Sequence, residues 1–79
     1  KELNFKRKQI LDRLELAETL ESAQKIKMDH ERTRHLKGRT TTYQVLIFEQ
    51  DYSNARLVRL RTQMELMQNR VDLKIFGGL

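Results

Sequence analysis

The chain has 79 residues, 38% of them hydrophobic and 34% charged, with a net charge of +5 and no Trp, Cys or Pro. A chain of this length buries only about 60–70% of its surface on folding, so a self-sufficient core enclosing a catalytic pocket is excluded as a working expectation, and the protein reads as a non-enzyme. The lack of Cys excludes a disulfide framework and a thiolate metal site.

Gly and Pro normally supply about 12% of a globular domain. Here Pro is absent and Gly occurs only at Gly38, Gly77 and Gly78. Residues 2–37 and 39–76 are therefore two uninterrupted stretches, both rich in the helix-favouring types Leu, Glu, Lys, Arg, Gln and Ala. Each predicts a helix roughly 50 Å long. Such helices are marginal alone and need a packing partner.

The first helix is expected over residues 2–37. Leu3, Ile10, Leu14 and Ala17 form one heptad track, and Leu16, Leu20, Ala23 and Ile26 a drifting second one. Leu11, Met28 and Leu36 fall outside a simple stripe. Glu15, Glu18 and Glu21 read as a hydrated face, with Glu21 placed four residues before Lys25 for an intrahelical ion pair. His30 and His35 are five apart and lie on different faces, which does not suit a metal pair. No metal or cofactor is expected.

The turn is expected at residues 38–40. Gly38 suits the left-handed residue that closes a helix, and Arg32, Arg34, His35 and Lys37 before it complement the negative end of the dipole. Thr41 followed by Gln44 reads as a capping box that opens a second helix over 41–76. Stop and start signals this close predict an antiparallel two-helix coiled-coil hairpin, an all-α fold forming one unit over 1–79.

The second helix carries two seams. Leu57, Leu60, Met64, Met67 and Val71 advance by alternating steps of three and four. Val45, Phe48, Tyr52, Ala55, Leu66, Leu73 and Phe76 follow the same repeat, interrupted by Arg59, Thr62 and Asn69. The seams lie roughly 150° apart around the helix. One seam serves a simple hairpin; two imply neighbours on both sides, and an isolated hairpin is expected to self-associate through the unused one. Met64 and Met67 read as core seam residues rather than soft-metal ligands.

The basic excess permits binding to nucleic acid but does not require it. The cations are interspersed with Asp51, Glu65 and Asp72, and no nucleic-acid module is recognisable, so that partner is not favoured. The longest apolar run, Val45 to Phe48, is far short of the ~20 residues that span a bilayer as a helix, and no segment resembles a signal peptide. The opening Lys1 reads as the start of a piece of a longer protein.

From Leu36 onward the chain resembles the TolC-like outer membrane factors, the exit ducts of bacterial efflux pumps and type I secretion systems. The matching run is Leu36-Lys37-Gly38-Arg39-Thr40-Thr41-Thr42-Tyr43-Gln44-Val45-Leu46. Asp51-Tyr52-Ser53-Asn54-Ala55-Arg56 follows, and Leu73-Lys74-Ile75-Phe76-Gly77-Gly78 closes the match, with 40 positions from Gly38 to Gly78. The first arm matches only as a long helix entering the turn.

This resemblance implies a trimer whose helices form a tapered periplasmic α-barrel below an outer-membrane β-barrel. It places the chain in the cell outer membrane protein's periplasmic part. It implies partners: a periplasmic adaptor (membrane fusion) protein and an inner-membrane transporter. Leu36, Gly38, Arg39, Thr40 and Thr41 match the tip that docks the adaptor. His35, Gln44 and Ile47 match tip latch or gate positions. Some relatives carry acidic residues at the last two, and this chain has no carboxylate at either. The alternatives are the adaptor's own periplasmic hairpin, in which Arg34 and Leu36 would flank the turn, and a coiled-coil scaffold or basic-stripe nucleic-acid binder.

Overall fold

The computed structural model describes residues 2–76. It is an antiparallel hairpin of two helices, α1 (Glu2–Leu36) and α2 (Thr42–Phe76), coiled-coil-like in its packing and 62 Å along its longest axis. Residues 77–79, which include the closing glycines of the family-like run, lie outside the described residues.

The helix ends differ by one residue from those expected, for a reason visible in the turn. Arg39 N–H donates to the Arg34 carbonyl at 2.8 Å and Gly38 N–H to the His35 carbonyl at 3.0 Å. This is the Schellman pattern, with Gly38 at φ +70° as its left-handed residue. Lys37 is then the half-in C-cap and Thr41 the N-cap. The Thr41 hydroxyl accepts from the Gln44 N–H at 3.2 Å, so the hydroxyl half of the expected capping box is made.

The core is a single seam between the arms. On α1 it runs through Ile10, Leu14, Ala17, Glu21, Gln24, Met28 and Glu31, all buried or half-buried. The alternation of three and four never breaks, so Met28, expected outside a simple stripe, belongs to it. Polar Glu21 and Gln24 stand between Ala17 and Met28 and hide the continuity. On α2 the seam is the interrupted one: Val45, Thr62, Leu66 and Asn69 are buried, and Phe48, Tyr52, Ala55, Arg59 and Leu73 half-buried.

Ile10 is the most deeply buried large side chain, at 1% exposure. Full burial of such a side chain stabilises by roughly 1.5–3 kcal/mol. The polar positions are tolerated because most find partners. The Thr62 hydroxyl donates to the Val58 carbonyl of its own preceding turn at 2.9 Å. Arg59 Nε and Nη2 donate to Glu21 Oε1 and Oε2 at 3.0 Å each, while Nη1 donates to Gln63. Glu21 therefore bridges the arms rather than pairing with Lys25 along its own helix. This hydrogen-bonded carboxylate raises the Arg59 guanidinium above its ordinary pKa, with burial opposing.

Candidate functional site

Two surfaces stand out, the turn and the outward side of α2. The turn is a small hydrogen-bonded cluster. Glu31 is almost fully buried, and its two oxygens accept from Arg34 Nη1 at 3.0 Å and from the Thr40 hydroxyl at 3.1 Å. Arg34 Nη2 also donates to the Arg39 carbonyl at 3.3 Å. The carboxylate thus ties the last full turn of α1 to the loop, and Arg34 closes the loop on itself. His35 Nε2 lies 3.1 Å from the Thr42 hydroxyl, linking the end of α1 to the start of α2.

The residues singled out by the family resemblance separate into two groups here. Gly38, Arg39, Thr40, Thr41 and His35 shape the turn through the bonds above. Leu36 is 86% exposed and presents an apolar side chain at the extreme of the hairpin. Gln44 and Ile47 lie on the first turns of α2 and are exposed. The tip therefore offers Leu36, Arg39 and Gln44 outward, with Thr40 half-buried as a support. Glu31 escaped the sequence reading because it looks like one more acidic residue beside His30; only its place on the three–four alternation with Met28 marks it as interior.

The outward side of α2 carries the more continuous signal. The seam buried between the arms is the one interrupted by Arg59, Thr62 and Asn69, and the seam of Leu57, Leu60, Met64, Met67 and Val71 points away from α1. Met64 is 68% and Met67 63% exposed, so these residues are seam positions but not core of the hairpin. The same repeat extends back through Ser53 and Gln50 to Leu46 and Tyr43, both exposed. Along one flank, Leu16 and Leu20 of α1 and Val58 of α2 line a shallow open groove with Arg13 and Thr62. Leu16 and Leu20 of the second α1 track thus lie on a flank.

Across the hairpin, Arg13 pairs with Glu65 at 2.7 Å and Arg32 with Glu49 at 3.3 Å, both on exposed sides. Such exposed pairs are worth at most about 1 kcal/mol each, and their effect is mainly on register. Among the described residues, no group of three or more His, Asp or Glu is placed to hold a metal ion, and no helix is long and apolar enough to cross a membrane. Comparison with family models, curated proteins and solved structures finds no match to this chain.

Proposed function

We propose that this chain is a periplasmic helical hairpin of an outer membrane channel protein for efflux or type I secretion, forming part of the duct wall and a gating tip that docks an adaptor. The work is passive: it lines a conduit, with no bond made or broken. In the longer protein the hairpin would sit in a trimer, in the periplasm, joined through an adaptor to an inner-membrane transporter.

The observation that carries the reading is the second heptad seam. A hairpin that served only itself would bury its most apolar stripe between its arms. This one buries a stripe containing Arg59, Thr62 and Asn69 and turns Leu57, Leu60, Met64, Met67 and Val71 outward. A helix in a wall has a neighbour on each side, which is the arrangement two seams serve. The family-like run from Leu36 to Gly78 adds the identity of the wall.

The test is site-specific crosslinking in the full-length protein in cells, from Arg39→Cys or Thr40→Cys to cysteines at an adaptor hairpin tip. A crosslink to the adaptor is the expected result. Crosslinks from these positions to a duct protein's tip instead would assign the hairpin to the adaptor. Crosslinks to neither would remove the transport reading.

A further inference from the structure

We infer that the outward seam of α2 takes a helix of definite chemistry: one whose heptad apolar stripe is bordered by carboxylates. The inference rests on the wall reading for its setting, but on the residues around the seam for its content.

Residues three or four apart are neighbours on a helix surface. Every charged residue at that spacing from Leu57, Leu60, Met64, Met67 or Val71 is a cation. Arg56 lies four before Leu60, and Arg61 lies four after Leu57 and three before Met64. Arg70 lies three after Met67, and Lys74 three after Val71. The carboxylates of α2 are Glu49, Asp51, Glu65 and Asp72, and none stands at that spacing from these five residues. Glu49 and Glu65 are engaged with Arg32 and Arg13 of α1. Arg56, Arg61 and Arg70 are exposed and make no ion pair among the described residues.

The seam's period argues for a helix rather than a lipid surface. From Tyr43 to Val71 the register keeps a seven-residue repeat over four heptads, apolar at every position but Gln50 and Ser53. On a straight helix such a stripe drifts by about 20° per heptad, or roughly 80° in all, and would wind away from a plane. A supercoiled partner follows it. From Leu57 to Val71 the apolar band is also two residues per heptad, the width of a coiled-coil seam rather than of a membrane-lying face.

The charges also argue against a second copy of this chain, and so against the self-association that the seam pattern by itself leads one to expect. α2 against α2 sets Arg and Lys borders against each other, which like charges oppose. On the outward edge of α1, Asp12, Glu15, Thr19, Ser22 and Asp29 themselves stand where an apolar stripe is needed, leaving Phe5 and Ile26 as its large apolar side chains. The complementary partner is therefore another helix, with both the stripe and the acid borders.

The experiment titrates the 79-residue chain into two labelled synthetic peptides and follows fluorescence anisotropy. Both peptides carry leucine at the two seam positions of each of four heptads; one has Glu at the bordering positions and the other Lys. The expected result is binding of the Glu-bordered peptide about tenfold tighter at low salt, a preference that shrinks as salt screens the exposed pairs. The triple variant Arg56→Glu, Arg61→Glu, Arg70→Glu, with helicity checked by circular dichroism, should reverse the preference. Equal binding of both peptides overturns the inference while leaving the wall reading standing. Binding of neither overturns it. So does self-association through the seam at concentrations below those needed to bind peptide, or binding to anionic vesicles in place of the peptide. Failure of the wall reading itself is read separately, by the crosslinks from the tip.

Discussion

Arg59 and Glu21, thirty-eight positions apart, meet inside the seam through two parallel hydrogen bonds of 3.0 Å. The side chains are 20% and 18% exposed, the most shielded ion pair between the arms. A fork-to-carboxylate contact requires both position and orientation, so it admits one register of α2 on α1. The same pair explains how a seam with an arginine in it can be the interior one.

Removing either partner should therefore weaken the hairpin more than removing an exposed pair. Arg59→Met or Glu21→Gln should lower the thermal midpoint measured by circular dichroism, and the swapped pair Arg59→Glu with Glu21→Arg should recover much of the loss. No recovery would mean that packing of the stems, not the pairing, sets the register.

The same pair carries a pH signature. A cation whose folded pKa is raised contributes stability that is present below its unfolded value and lost only as pH rises through the folded one. For Arg59 that lies above its already strongly alkaline ordinary value, so the pair should be insensitive to pH from neutrality into the alkaline range. Arg59→Lys should bring the loss down to the lysine range, about 10 and above. Denaturation midpoints measured between neutral and alkaline pH, compared for the two proteins, check this.

Gly38 tests the turn. Its φ of +70° is strained for an L side chain, yet an added Cβ would meet nothing within 4 Å. The cost of Gly38→Ala is then backbone strain alone, about 1 kcal/mol, and Gly38→Asn should cost less. Urea denaturation resolves the difference. A cost of several kcal/mol would show that the turn makes contacts beyond its own backbone.

The two seams predict opposite responses to truncation. Ile10→Ala should destabilise the chain by about 2–4 kcal/mol, whereas Met64→Ala should leave it within about 0.5 kcal/mol. Met64→Ala should instead weaken binding of the acid-bordered helix. A large stability loss from Met64→Ala in dilute solution would mean that the outward seam is already covered there.

Gln24 predicts a gain. Its Oε1 is buried with no hydrogen-bond partner. Gln24→Leu removes the unsatisfied atom while keeping similar bulk, and should stabilise the hairpin by about 1 kcal/mol in the same denaturation assay.

Local chemistry alone determined that there are two helices and where they part. Unbroken helix-favouring stretches, a lone glycine, a basic last turn and a threonine cap act over a few residues and read directly from the chain. Which seam faces inward was not readable that way. Both stripes of α2 obey the same repeat, and the more apolar one is the natural choice for a core. Periodicity identifies faces but not their partners. The tertiary structure decided the matter through contacts between residues far apart in the chain: Glu21 with Arg59, Arg13 with Glu65, and Arg32 with Glu49. Glu21 and Arg59 satisfy each other inside, and the hydrocarbon stripe is left outside.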